Sequence, residues 1–109
     1  LQRKYSQIRA KAARHSFSDG WAFLFYNQSM FYVYLIKSIN FSNQKYIGIT
    51  DNLEERLETH NSGGSIYTKP YRPWVLVVYL SFCEEETARK FEKYLKSGAG
   101  RAFAKKRFW

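Results

Sequence analysis

Residues 31–61 read FYVYLIKSINFSNQKYIGITDNLEERLETHN, a stretch that predicts a strand, a polar turn, a second strand and an amphipathic helix. Phe31, Val33 and Leu35 alternate with Tyr32, Tyr34 and Ile36, the period of two that gives a strand two distinct faces. The polar run from Ser38 to Gln44 turns the chain, and Lys45 to Ile49 returns as a shorter strand with Tyr46 and Gly48 on one face. In such a hairpin Tyr34 and Tyr46 share a face. Asp51 followed three residues later by Glu54 predicts a capping-box start for the helix. Leu53 and Leu57 mark its buried stripe, Arg56 and His60 lie one turn apart at its edge, and Glu54, Glu55 and Glu58 point to solvent. Two tyrosines, an arginine and a histidine therefore converge where hairpin meets helix.

Downstream, Ser62 to Pro73 reads as a loop in which Gly63-Gly64 stops the helix and Pro70 and Pro73 punctuate the connection. Trp74 to Phe82 (WVLVVYLSF) is nearly all apolar, as expected of a strand covered on both faces at the centre of a sheet. Glu84, Glu85 and Glu86 open a second helix, where negative charge suits the N-terminus. Its buried stripe is Ala88, Phe91 and Leu95, with Tyr94 at one border and Glu92 at the other. Gly98 and Gly100 are expected to end it, leaving Arg101 to Trp109 as a short basic helix or tail. Strand, strand, helix, strand, helix, helix predicts an α+β fold: a small three-stranded antiparallel sheet packed by helices.

With 109 residues the chain is one domain, and 45% hydrophobic with 19% aromatic content argues for a packed core. A net charge of +9 points to a polyanionic partner, nucleic acid ahead of an anionic membrane. Cys83 is the single cysteine, which excludes an intrachain disulfide and a cysteine metal cluster and suits a reducing, cytoplasmic setting. No apolar run approaches the roughly 20 residues of a membrane-spanning helix. Residues 1–29 differ from the rest: Arg3, Lys4, Arg9, Lys11 and Arg14 are offset only by Asp19. The apolar run WAFLFY at 21–26 is shorter than the hydrophobic region of about 7–15 residues in a signal peptide. Met30 is the sole methionine and directly precedes the first strand. The expected organisation is a dispensable basic extension over 1–29 and a functional domain over 30–109.

Taken one at a time, the candidate residues have ordinary readings. Glu92, at the core-facing edge of its helix among basic neighbours, is either an ion-pair partner, most simply of Arg56, or a metal ligand. Arg56 buries its stem and pairs with a carboxylate, His60 is a half-buried helix histidine or a catalytic group, and Tyr34 and Tyr46 are strand tyrosines.

As an ordered set they are more specific. Tyr-Val-Tyr at 32–34, Tyr-Ile-Gly at 46–48, Arg56 with His60, the loop from Thr68 to Trp74, and EKYLKSGAGR at 92–101 resemble the GIY-YIG endonuclease superfamily. The resemblance extends over essentially everything after Met30, and is closest to its small stand-alone bacterial, repair-nuclease-like members. It implies that Tyr34 works on the attacking side of phosphodiester hydrolysis, Tyr46 helps orient the nucleophilic water, and Gly48 lets backbone pass close to its neighbours. Arg56 would bind the scissile phosphate, His60 would handle a proton or touch the phosphate, and Glu92 would hold one divalent cation, Mg2+ or another such as Mn2+. Tyr32 stands where the GIY element has glycine, and could narrow the groove or stack on an unpaired base.

The chemistry is self-consistent. Arg56 and a cation at Glu92 would stabilise charge that builds on the phosphate, and a single carboxylate suits magnesium, which keeps several waters. A tyrosine has an ordinary pKa of about 10, and a basic site is expected to lower it. Lys69, Arg72, Lys96, Arg101, Lys105, Lys106 and Arg107 are candidates for a phosphate track. The leading expectation is a metal-dependent DNA endonuclease, structure-selective or weakly sequence-selective, acting in repair or recombination, with RNA also open as substrate. The rivals are a nucleic-acid-binding module of the same fold with little activity, and a protein-interaction domain whose charge is incidental.

Overall fold

The alternation that starts at residue 31 becomes the middle of the sheet. In the computed structural model, which describes residues 29–109, β1 spans Phe31–Ser38, β2 Lys45–Thr50 and β3 Trp74–Phe82. Of the extension expected over residues 1–29, all but Ser29 lies outside the described residues. The three strands form one antiparallel sheet in the order β2-β1-β3, so β1 is hydrogen-bonded along both edges. Val33 and Leu35 join Ala88, Leu95 and Ala104 in one buried cluster, whereas Tyr34 and Ile36 join Trp74 in another. Helix α1 (Leu53–Ser62) covers the Tyr34 face through Leu53 and Leu57. Helices α2 (Glu85–Leu95) and α3 (Gly98–Arg107) cover the Val33 face. Two covered faces explain why Tyr32 through Ile36 are all buried; each such large side chain contributes on the order of 1.5–3 kcal/mol.

The expectation that Trp74 to Phe82 forms the central strand is not met: β3 is an edge strand, and β1 holds the centre. The continuous apolar run has another cause. Opposite β1 the register passes from Leu35↔Val78 to Ile36↔Leu76, leaving Val77 as a bulge. Before the bulge Trp74 and Leu76 face α1; after it Tyr79 does, while Val78 and Phe82 face α2 and α3. Two alternations out of phase, joined at Val77, read in sequence as one unbroken stretch.

Helix ends differ by small steps from the expectation. The N-cap of α1 is Asn52, not Asp51: its side chain accepts from Glu55 N and its amide donates to Glu55 Oε2, at 3.1 and 3.2 Å. Gly63, at φ 88°, closes α1 as expected. Gly98 and Gly100 do not end α2 but open α3, whose N-cap Ser97 accepts from Gly100 N. A Cβ on Gly100 would stand 2.5 Å from the Tyr94 carbonyl carbon and 2.6 Å from Leu95 Cα. Close helix contact, rather than helix termination, requires glycine there.

Candidate active site

The hairpin register places Tyr34 opposite Gly48 and Ile36 opposite Tyr46, so both tyrosines stand on the α1 face, their ring centroids 6.3 Å apart. Gly48 is what makes room for the first. A Cβ at that position would lie 2.5 Å from Tyr34 Cζ and overlap its hydroxyl; the phenol lies across the backbone of β2.

Helix α1 delivers the other two groups from successive turns. Arg56 Nε donates to Tyr34 Oη at 3.2 Å, and His60 Nε2 lies 2.7 Å from the same oxygen. The imidazole also meets Tyr46 edge-on at 5.0 Å. Expected to be half-buried, His60 is wholly buried, as is Tyr34. Its other nitrogen, Nδ1, lies 2.7 Å from Thr68 Oγ1. Thr68 is fixed in turn by Trp74, whose Nε1 donates to the Thr68 carbonyl at 2.8 Å. The Asn61 side chain clamps the Trp74 backbone through bonds of 2.6 and 3.1 Å, tying the end of α1 to the start of β3.

Burial dominates the electrostatics. Desolvation pushes Tyr34 up to about 12; the hydrogen bond and charge of Arg56 oppose it, and Tyr46 and Glu92 add to it. The expected lowering by a basic environment is therefore reversed, because the cost of burying a phenolate outweighs one neighbouring guanidinium. His60 is pushed down to about 4, first by burial and then by the charge of Arg56. Arg56 is held above its ordinary value by its bond to Tyr34, with burial opposing.

Glu92 lies on α2, in the opposite layer. Its side chain is 20% exposed and bonds to Lys96 Nζ at 3.0 Å, one turn along α2. The ion pair with Arg56 considered from sequence does not form; among the described residues the ion pairs are Arg89–Glu85, Lys90–Glu86 and Lys96–Glu92. Glu92 nevertheless contributes negative potential at Tyr34. Beside Arg56 an open hollow of about 380 Å³ is lined by Thr50, Asp51, Asn52, Glu55 and Thr59.

This geometry is matched by relationship. Residues 30–106 match the GIY-YIG catalytic domain. The chain belongs to the GIY-YIG family. It is 42% identical over 67 residues to a UPF0213 protein of Staphylococcus haemolyticus, covering 61% of this chain and 79% of that one. It is 39% identical over 71 residues to the UPF0213 protein YazA of Bacillus subtilis, covering 64% and 68%. A UPF0213 protein of Clostridium perfringens is 40% identical over 68 residues, covering 62% and 71%.

GIY-YIG nucleases generally use divalent metal ions. Among the described residues no three His, Cys, Asp or Glu side chains gather as a ligand cluster; Glu92 is the one carboxylate among the site residues expected from the sequence. A lone, partly exposed carboxylate fits a hard cation that retains most of its water shell. No helix among the described residues is long and apolar enough to cross a membrane.

The GIY-YIG domain also corrects the reading of Tyr32. That side chain is 4% exposed and packs edge-to-face on Tyr79 at 5.9 Å, so it offers no stacking surface. Exposed apolar side chains sit instead at Ile66 and Tyr67, 85% and 81% accessible, just before Lys69 and Arg72. Thr68 was not singled out from the sequence, since a threonine in a polar loop carries no periodic signal. Its bond to His60 exists only once the loop folds back on α1.

Proposed function

We propose that this domain is an endonuclease that hydrolyses DNA phosphodiester bonds with a divalent cation, Mg2+ or Mn2+, selecting substrate by structure more than by sequence. The observation that carries the reading is a single phenol oxygen, Tyr34 Oη, held between a guanidinium at 3.2 Å and an imidazole nitrogen at 2.7 Å. Arg56 binds the scissile phosphate and stabilises charge as it builds on the oxygens. Because Tyr34 is buried, the attacking water reaches its hydroxyl when Arg56 turns onto the phosphate. Tyr34 then takes the water's proton while passing its own to His60 Nε2; the water oxygen bonds to phosphorus, the bond from phosphorus to the leaving sugar oxygen breaks, and that oxygen takes a proton from bulk water. With Tyr34 near 12 and His60 near 4, no resting phenolate is formed, and the two transfers run together. Tyr46 packs on His60 and flanks Tyr34. Glu92 would hold the cation, which supplies charge neutralisation at the phosphate.

Support for a nucleic-acid substrate comes from the family and from the net charge of +9. Lys69, Arg72, Arg101, Lys105 and Lys106 are exposed and available to phosphates. Ile66 and Tyr67 offer faces on which an unpaired base can stack. The setting is read as cytoplasmic, and repair or recombination as the role.

The test is cleavage of duplex, single-stranded, flapped and branched DNA, with RNA counterparts, in the presence and absence of magnesium. Tyr34→Phe and Glu92→Ala are expected to abolish cutting while leaving fold and DNA affinity largely intact; wild-type rates in both variants remove the assignment. One observation favours a second reading, a binding module with little activity: the raised Tyr34 hydroxyl, buried without solvent access. That reading predicts salt-sensitive DNA binding with no magnesium-dependent product.

A further inference from the structure

Four side chains, Arg56, Tyr34, His60 and Thr68, form a line of hydrogen bonds, and counting donors orders it. Arg56 Nε can only donate to Tyr34 Oη. Tyr34 has one hydroxyl proton and is wholly buried, and among the described residues its one other side-chain hydrogen-bond partner is His60 Nε2 at 2.7 Å. Were Nε2 to carry a proton, the phenol oxygen would accept twice and its own buried proton would have no acceptor. The phenol therefore donates to Nε2. A neutral imidazole then carries its proton on Nδ1 and donates it across 2.7 Å to Thr68 Oγ1. Thr68 completes the line by directing its hydroxyl toward the Ser65 carbonyl at 3.5 Å. Every proton in the line points the same way, from Arg56 to the loop.

We propose that Thr68 is a positioning residue for the reaction: by accepting from His60 Nδ1 it satisfies the buried N–H of this tautomer and holds the ring with Nε2 free to receive the Tyr34 proton. This rests on the nuclease reading above for its consequence, but not for its geometry. Thr68 is 1% exposed, so water does not substitute for its hydroxyl. Its carbonyl is held by Trp74 Nε1 at 2.8 Å, and its N–H bonds to Ser65 O at 3.3 Å, so the hydroxyl has one place to be. His60 stays neutral at pH 7 because burial and Arg56 both oppose its charge, so the ring carries a single N–H, and Thr68 Oγ1 is its acceptor. The neighbouring groups that face the imidazole are Tyr34, Tyr46 and Arg56, and none of them offers Nδ1 an acceptor among the described hydrogen bonds.

Thr68→Val keeps the volume and removes the hydroxyl; Thr68→Ser keeps the hydroxyl. The experiment combines 15N chemical shifts of the His60 ring at pH 7 with cleavage kinetics on the best DNA substrate plus magnesium. The wild-type ring is expected to carry its proton on Nδ1. Thr68→Val is expected to leave the Nδ1–H without an acceptor, shifting its ring resonances away from those of the wild type, and to lower kcat about 10- to 100-fold, the scale for removing a partner that orients a metal-ligating histidine, with KM little changed. Thr68→Ser is expected to restore both the ring signature and most of the rate. A wild-type ring protonated on Nε2 overturns the proposal, as does a Thr68→Val ring whose Nδ1–H resonances are unchanged from the wild type. Equal loss of rate in the valine and serine variants, with the serine ring unchanged from wild type, also overturns it. A wild type with the assigned tautomer and no cleavage of any substrate refutes the nuclease reading and with it the role in turnover, while leaving the hydrogen-bond order standing. The two failures are thus distinguishable.

Discussion

Acid should weaken this fold through His60, by an amount the structure allows to be worked out. The ordinary pKa is 6.5 and the folded value is about 4. As pH falls below 6.5 the unfolded chain binds a proton at His60, and the folded chain does so only near 4. Between those values the unfolded state holds more protons, so stability falls as pH falls. The contribution is complete above pH 6.5 and gone by about pH 4. At about 1.4 kcal/mol per pKa unit the loss amounts to roughly 3 kcal/mol, a large share of the ~5–15 kcal/mol that holds a small domain together. Carboxylates titrate in part of the same range, so the informative quantity is a difference. Urea unfolding of the wild type and of His60→Gln at pH 7.5, 5.5 and 4 should show the wild type losing about 3 kcal/mol more than the variant. Equal losses would refute the reasoning, because they would mean that His60 is as easily protonated folded as unfolded.

At the alkaline end the sign is opposite. Tyr34 is raised from 10.0 to about 12, so its contribution is present below pH 10 and lost as pH rises through 12; Tyr34→Phe should remove about 3 kcal/mol of pH dependence there, read by urea unfolding. Gly48→Ala places a methyl into the Tyr34 phenol and should cost about 1–3 kcal/mol, seen as a lower Tm together with lost cleavage; an unchanged Tm would show that the ring has room to move. Glu92→Gln should abolish magnesium-dependent cleavage yet alter stability by less than about 1 kcal/mol, since its partner Lys96 is half exposed and the pair is a single i,i+4 bridge; calorimetry and cleavage assays together check it. Tyr67→Ala should weaken binding to single-stranded or flapped DNA by about 1–3 kcal/mol and fully paired duplex much less, measured by fluorescence anisotropy.

Much of the fold was legible because its signals are local. The period of two in β1, the polar turn after Ser38 and the stop at Gly63-Gly64 are each written within a few residues, and the elements they specify form where expected. The shared face of Tyr34 and Tyr46 follows from alternation plus a hairpin. Glycines were the exception in part: Gly100 looks like a helix terminator in sequence and serves as a contact between helices, because only the crossing of α2 and α3 reveals what lies against it.

By itself the sequence determined which residue types are available and, outside the bulged β3, on which strand or helix face each one lies, since backbone periodicity is fixed by local geometry. Tertiary structure alone decided that β1 rather than β3 is central, because the bulge at Val77 hides the change of phase inside an apolar run. It also decided that Tyr32 is buried on Tyr79 and that Thr68 meets His60. The Tyr34 hydroxyl owes its high pKa to the same source: desolvation depends on everything packed around a group, and no spacing along the chain encodes that sum.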